Sequence, residues 1–224
     1  MKHLSLILII LILSCCPLHP AYAFFDKDIR LLTMRDGLAD NTIPCIYKDE
    51  DGFMWFGTDN GLSRYDGKTI QNFKPANTYV SIAAIVRLSD DFLGIVSDGY
   101  LYYFNRKRET FLPIHTESDT AIGVFNVLPA DDSSFWGISG NRLILCQWEI
   151  QQGKEEEKTA VRVRIQKTFQ LLEEKGEVFS SLCYHEKAGS GIWLTTNRGN
   201  LILFHPDTPE AYQKIPLTDG KTLQ

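Results

Sequence analysis

The sequence DGFMWFGTDNGLSRY, from Asp51 to Tyr65, decides the fold class of this chain. Two hairpin dipeptides, Asp51-Gly52 and Asn60-Gly61, bracket the short apolar segment Trp55-Phe56-Gly57. Such dipeptides favour tight turns because Asp, Asn and Gly tolerate a positive φ angle. The segment between them is too short for a helix and too apolar for a loop. It therefore predicts a β-strand held between two turns.

The same pattern recurs three times further along the chain. Leu93, Trp136 and Trp193 are expected to take the place of Trp55, at successive intervals of 38, 43 and 57 residues. Blades of a β-propeller repeat at about 40–50 residues, which fits the first two intervals. The alternating segment from Val161 to Ile165 predicts an elongated outer hairpin in the third repeat. That hairpin, with residues 151–159 as its solvated tip, explains the long third interval.

Four repeats of this kind predict an all-β fold of β-propeller blades, each with four antiparallel strands. The alternatives are a compact four-bladed ring and an open, incomplete part of a seven-bladed propeller. The open form is preferred because the residues after Phe204 resemble the approach to a further blade. A short amphipathic helix over Thr168 to Glu177 is a local alternative to strand structure. The expected bounds are 1–23 for a signal peptide, 24–224 for the partial propeller, and 43–73, 82–114, 124–169 and 178–215 for the blades.

The first residues predict export. Lys2 precedes an apolar run from Leu4 to Leu13, and Ala21-Tyr22-Ala23 has the small-x-small pattern of a cleavage site. We therefore expect cleavage between Ala23 and Phe24. The apolar run is shorter than the about 20 residues that a membrane-spanning helix needs, and no second run of that length follows. The mature chain is expected to be periplasmic, without a transmembrane helix after the leader.

The net charge and the positions of the cysteines limit the kinds of partner and cofactor that this chain is expected to bind. The formal net charge is −5 and no basic stripe is present, so nucleic acid is not an expected partner. A lipid on Cys15 and an uncleaved membrane anchor are minor alternatives for the leader. Cys45, Cys146 and Cys183 follow it in apolar contexts and are expected to be buried. No Cys-x-x-Cys pair occurs and His115, His185 and His205 stand singly, so no metal site or cofactor is expected.

A glycosidase or lyase on a propeller scaffold is the less favoured functional class. It would need paired carboxylates in one cleft, and Asp49, Asp59 and Asp98 are available. Asp59 and Asp98 already have a local role in turns, and no nucleophile elbow is present. We expect no catalytic residue and assign no ligand-binding residue. The aromatic residues that could stack on sugars, although burial in the core is the preferred interpretation, are Tyr65, Tyr102, Tyr103, Trp136 and Trp193.

One stretch resembles a known family. The sequence LTMRDGL at residues 32–38, followed by Asn41-Thr42-Ile43 and by residues 51–67, resembles the opening of two component regulator propellers. These are periplasmic sensor regions of hybrid two-component histidine kinases and related membrane regulators. The motif is specific over Leu31 to Phe73, and the later repeats resemble the family by their spacing.

The resemblance implies an extracytoplasmic ligand-sensing module. It further implies seven-bladed propellers, usually two in tandem, that precede a kinase or another output domain and sense oligosaccharides derived from polysaccharides. The chain is expected to end within the first propeller, before any output domain, and so to lack kinase activity. A stand-alone propeller that binds proteins or glycans without signalling is the alternative. In an open arc, the uncovered blade faces are expected to self-associate.

Overall fold

The computed structural model describes residues 29–74, 80–116, 123–151, 160–185 and 191–216. The chain divides into two compact units, Met1–Leu32 and Thr33–Gln224. The second unit holds every strand of the described residues. Among these residues, no helix is long and apolar enough to cross a membrane. The expected leader, its cleavage site between Ala23 and Phe24, and residues 152–159 of the predicted hairpin tip lie outside the described residues.

The strands form four separate sheets among the described residues, and in each sheet four consecutive strands pair antiparallel in chain order. Blade 1 comprises β1 (Cys45–Lys48), β2 (Met54–Thr58), β3 (Gly61–Tyr65) and β4 (Ile70–Phe73). Blade 2 comprises β5 (Ile82–Arg87), β6 (Phe92–Ser97), β7 (Tyr100–Asn105) and β8 (Thr110–Pro113). Blade 3 comprises β9 (His115–Thr116), β10 (Asn126–Asp131), β11 (Ser134–Ser139), β12 (Arg142–Gln151) and β13 (Ala160–Gln170). Blade 4 comprises β14 (Phe179–His185), β15 (Gly191–Thr196), β16 (Asn200–Phe204) and β17 (Gln213–Pro216). The predicted all-β class is confirmed.

Blade 3 departs from the sequence-based expectation in two ways. β13 continues to Gln170, so the helix considered from Thr168 onwards is wrong. Phe169 instead lies in the ladder opposite Leu143, with its ring centroid 4.9 Å from that of Phe204. This apolar contact outweighs the weak helical tendency of so short a segment. In addition, β9 pairs in parallel with β13 at the outer edge of the sheet. A strand of two residues is too short to leave a sequence pattern from which this pairing could be predicted.

Consecutive blades pack face to face, and each interface is termed a seam. The leading face of a blade points to the next blade in the chain, and the trailing face points to the preceding one. In the seam between blades 1 and 2, Trp55 and Leu62 of the leading face meet Ile82, Leu93 and Phe104 of the trailing face. Separate apolar clusters fill the two later seams. The first strands of neighbouring blades also contact each other, which places them on the inner side of the arc.

The arc is open. Among the described residues, no core cluster and no extensive strand contact joins blade 1 to blade 4. Residues 33–42 cover the trailing face of blade 1, where the Ala39 amide donates to Ser63 Oγ over 3.1 Å and Leu38 is buried. The leading face of blade 4, which carries the half-buried Trp193, has no sheet packed on it within the described residues. The four sheets therefore form an open part of a propeller, and the compact four-bladed ring is wrong.

The strand registers align the blades residue by residue. Trp55, Trp136 and Trp193 each lie on the second strand of their blade. In all three blades, the turn into the third strand begins at the residue three positions after the tryptophan. Their predicted equivalence is confirmed. The alignment of Leu93 with them is wrong, because the equivalent position in blade 2 is Gly94, opposite Val86 in the first strand. The error came from matching two glycines: Gly61 begins β3, whereas Gly99 belongs to the turn before β7.

The same registers define three further sets of equivalent positions. The place of Trp55, Gly94 and Trp136 on the second strand is termed the anchor position. Each of these residues pairs with a residue of the first strand, and the residues two positions after that partner are Asp49, Leu88 and Ala130. Two residues before the anchor position stand Phe53, Phe92 and Ser134. The third set lies on the following blade. There, the second-strand residues Leu93, Phe135 and Ile192 pair with residues of the third strand, and the residues two positions after those partners are Arg106, Trp148 and Pro206.

Candidate functional site

A buried ion pair closes one end of the seam between blades 1 and 2. The Asp49 side chain is fully buried and accepts hydrogen bonds from Trp55 Nε1 over 2.7 Å and from Arg106 Nη2 over 2.8 Å. Arg106 follows β7 of blade 2 and also pairs with Asp51 over 2.5 Å. A buried carboxylate needs such partners because an unpaired one costs several kcal/mol, on the order of 3–5. This contact across the end of a seam is termed the latch.

The seam between blades 2 and 3 has an apolar latch at the equivalent positions. Trp148 takes the place of Arg106, and its Nε1 donates to the backbone oxygen of Leu88 over 3.2 Å. Phe92 packs edge to face on Tyr103 with ring centroids 5.6 Å apart. Although the chemistry differs, large side chains again fill the end of the seam.

Small residues stand at these positions in the seam between blades 3 and 4. Ala130 replaces Asp49 and Leu88, Ser134 replaces the two phenylalanines, and Pro206 replaces Arg106 and Trp148. In the space that large side chains fill elsewhere, there is a cleft of about 390 Å³. This volume is within the range of about 300–1,000 Å³ for small-molecule sites. The other lining residues include Asp131, Trp136, Leu145, Tyr184, Ile192 and Asp207.

The loss of the latch changes the role of the anchor tryptophan. The indole N–H of Trp55 donates to Asp49, but Trp136 faces Ala130 at the equivalent place and has no hydrogen-bond acceptor among the described residues. Trp136 is only 7% exposed. Each fully buried side-chain nitrogen or oxygen of the described part has a partner, so this N–H is not fully buried, and Trp136 lines the cleft. A nearly buried donor without a partner is a ready contact for a ligand oxygen.

The remaining side chains give the cleft an aromatic face and negative charge. Tyr184, near the end of β14, is 47% exposed and lines the cleft. Hydrogen bonds from the Ser134 side chain and the Ser133 backbone lower the pKa of Asp131, which is therefore ionised at neutral pH. Asp207 lies exposed in the turn after β16. An aromatic face beside hydrogen-bonding groups suits a polyhydroxylated ligand.

Of the aromatic residues named from the sequence, Trp136 is the one that lines this cleft. Tyr103 and Tyr102 pack into the earlier seams. The Tyr65 hydroxyl donates to the Gly67 carbonyl over 2.6 Å, and Trp193 lies on the leading face of blade 4. Sequence reasoning missed Tyr184. No local signal in the sequence could have found it, because the small residues Ala130, Ser134 and Pro206 mark the cleft only when the strand registers align the blades.

The three carboxylates considered for catalysis do not share one cleft. Asp49 lies in the turn between β1 and β2, whereas Asp59 and Asp98 lie in the turns at the opposite ends of the second strands. Asp59 accepts from Ser81 Oγ over 2.8 Å, and Asp98 adopts a φ of 49° in its hairpin. Asp59 and Asp98 thus lie in turns, as the sequence indicated.

The cysteines differ in exposure. Burial raises the pKa of the Cys146 thiol to about 12 and that of Cys45 to about 11. Cys183 is exposed, so its expected burial is wrong. It lies opposite Trp193 on the leading face of blade 4, where no described sheet covers it. Within the described ranges, no group of His, Cys, Asp and Glu could hold a metal ion. His205 is half-buried, and nothing is described of the side chains of His115 and His185.

Comparisons with solved structures identify the fold. The extracellular domain of the BT4673 one component system from B. thetaiotaomicron aligns with 83% of this chain at 14% identity and a TM-score of 0.51. The Pan2 WD40 domain of Neurospora crassa aligns with 78% of it at 15% identity and a TM-score of 0.50. The chain spans 33% of the length of the first domain and 49% of the second. At these identities the likeness concerns the propeller fold alone.

Comparisons of the sequence are more selective. No curated protein matches the chain significantly. The family model described as "Two component regulator propeller" matches residues 37–60, which include β1, β2 and the turn that follows β2. The resemblance found in the sequence is thus confirmed, and residues 37–60 match a repeat of the two component regulator propeller family.

Proposed function

We propose that this chain is an extracytoplasmic sensing module that binds oligosaccharides derived from polysaccharides. The ligand site is the cleft between blades 3 and 4, and the observation that carries this proposal is the replacement of the latch by Ala130, Ser134 and Pro206. Two of the three seams are closed by large side chains. At the third, small residues stand where closure would occur, beside a partly exposed tyrosine and an unpaired indole N–H.

The chemistry of the cleft supports a saccharide. Sugars present apolar ring faces and many hydroxyl groups, so they need aromatic surface together with donors and acceptors. The Tyr184 ring supplies the surface, Trp136 Nε1 supplies a donor, and Asp131 supplies an acceptor. The role proposed for these residues is binding without a catalytic step. Export with cleavage between Ala23 and Phe24 would bring the module to such ligands, and N-terminal sequencing of mature protein should then give Phe24 rather than a lipid-bearing Cys15.

Filling the cleft tests the proposal without disturbing the blades. Ala130→Leu and Ser134→Phe introduce the residues that blade 2 carries at the equivalent positions, Leu88 and Phe92. Calorimetric titration of the full chain with a panel of plant and animal oligosaccharides should detect binding. The filled variants should bind at least about tenfold more weakly, the equivalent of about 1.4 kcal/mol.

Ala83→Leu is the matched control. It makes the same change of side chain at an exposed position of β5, away from the cleft, and should leave the affinity unchanged. The proposal is wrong if no member of the panel binds, or if the filled variants bind as tightly as the wild type.

A further inference from the structure

The charged groups that line the cleft are all acidic among the described residues. They are Asp131 and Asp207, and neither has an ion-pair partner within the described part of the chain. At the first latch the arrangement is different, because Arg106 neutralises Asp49 and Asp51. Pro206 stands in the place of that arginine, so the cleft keeps its negative charge.

The carboxylates and the indole N–H suit different parts of one ligand. Carboxylate oxygens accept hydrogen bonds from sugar hydroxyls, and such charge-assisted bonds are stronger than those between neutral groups. Trp136 Nε1 can donate to a ring or hydroxyl oxygen. A sugar carboxylate would instead meet the ionised Asp131 without a cation among the described lining residues to offset the repulsion. A charge that is repelled in this way discriminates against one class of ligand.

Resting on the proposed function, we infer that the cleft selects uncharged oligosaccharides and rejects those that carry uronate carboxylates. Asp131 and Asp207 set this specificity. Two like charges about 5 Å apart repel each other enough to weaken binding about fourfold in a fully aqueous surrounding, and far more where water is partly excluded. A discrimination of at least about tenfold is therefore expected for the half-enclosed cleft.

Matched oligosaccharides test the inference. One pair is galactotetraose and tetragalacturonate, which share ring stereochemistry and differ in carboxylates. A second pair is xylotetraose with and without a glucuronate branch. Calorimetry on the full chain should show the neutral member of a pair binding at least about tenfold more tightly at low salt, with a smaller gap at high salt.

The double variant Asp131→Asn, Asp207→Asn should reduce the difference in affinity between the neutral and the acidic member to less than about threefold, because it removes both charges. Asparagine keeps the side-chain oxygen with which Asp131 accepts from the Ser133 amide, so the turn should persist. Asp132→Asn, at an exposed position of the same turn, is the matched control and should leave the gap as it is.

The outcomes separate this inference from the proposed function. Equal or tighter binding of the acidic member, lost in the Ala130→Leu variant, would overturn the neutral specificity and leave the saccharide site standing. A gap unaffected by the double variant would overturn the role of the two aspartates. If no member of either pair binds, in parallel with the wider panel, then both the proposed function and this inference are wrong.

Discussion

At the scale of single residues, Gly57 shows how close the blades approach each other. A Cβ atom at this position would lie 2.7 Å from Ile82 Cγ2 and 2.9 Å from the Ile82 backbone oxygen in blade 2. Gly57→Ala is therefore expected to lower the free energy of unfolding by about 1–3 kcal/mol through overpacking. Chemical denaturation measures the change. Gly123→Ala is the control, since the atom nearest to its Cβ would be the Gly99 backbone oxygen, 3.9 Å away. Equal stabilities of the two variants would contradict the close seam.

Glu177 is a buried carboxylate in blade 4 whose ionisation supports the fold. Burial opposes its ionisation, but hydrogen bonds from Lys214 Nζ over 2.9 Å, Asn200 Nδ2 over 2.6 Å and Thr196 Oγ1 over 2.9 Å outweigh that effect. The pKa of Glu177 is consequently held below its ordinary value of 4.5. A carboxyl group whose pKa is lower in the folded chain stabilises the fold above that value, and the contribution is lost as the pH falls.

We predict that Glu177→Gln lowers the free energy of unfolding at pH 7 and that the difference from the wild type shrinks as the pH falls below 4.5. Urea denaturation at a series of pH values gives this difference. Exposed Glu174 belongs to the same cluster, with Lys214 Nζ 3.6 Å away, and Glu174→Gln should have a much smaller effect. A difference for Glu177→Gln that is constant between pH 7 and pH 3.5 would exclude this role of its ionisation.

At the scale of the blade, the latch of the first seam depends on the ion pair between Arg106 and the buried Asp49. Arg106→Ala leaves the Asp49 carboxylate buried without its cation, which is expected to cost about 3–5 kcal/mol of stability. Arg87→Ala is the matched control. It breaks exposed pairs with Glu50 and Asp90 and should cost less than about 1 kcal/mol.

A second substitution at this seam distinguishes the stability lost through an unpaired buried charge from the stability lost through poorer packing. Adding Asp49→Asn to Arg106→Ala should recover part of the loss, because a neutral amide is less costly to bury than an unpaired charge. Thermal and urea denaturation measure all three variants. The ion pair would not be the basis of the latch if Arg106→Ala and Arg87→Ala were equally mild.

The sequence predicted the blades but not the seams, and the reason is physical. A hairpin and its anchor tryptophan lie within about ten residues, so turn dipeptides and apolar spacing indicate them directly. The two sides of a latch come from different blades: Arg106 and Asp49 are 57 residues apart, and Trp148 and Leu88 are 60 apart. No local pattern joins such positions. The cleft, which depends on comparing three seams, therefore became visible only with the registers in place.

At the scale of the whole second unit, the leading face of blade 4 is the exposed counterpart of faces that are buried elsewhere. Trp193, Leu201 and Leu203 lie half-buried on this face, and Cys183 is exposed on it. The equivalent faces of the three preceding blades are each covered by the trailing face of the next blade. Uncovered apolar sheet surface favours association.

We therefore predict that the purified chain self-associates in a concentration-dependent way and that Leu203→Lys reduces the association. Sedimentation velocity measures the distribution of species. Leu112→Lys, at an exposed position of β8, places the same charge elsewhere and should leave association unchanged. A wild-type chain that stays monomeric at every accessible concentration would show that this face is not adhesive.

We propose that the ligand of this sensing propeller binds at the seam between blades 3 and 4, which lacks a latch among the described residues. Hydrogen–deuterium exchange of the full chain, with and without a saturating amount of the tightest-binding oligosaccharide, tests it most directly. Binding in the cleft should slow exchange in residues 129–136 and 205–208, which contain most of its lining residues, and leave residues 49–53 and 88–92 of the two latched seams unchanged. Protection at the latched seams, with none in residues 129–136 and 205–208, would contradict the claim.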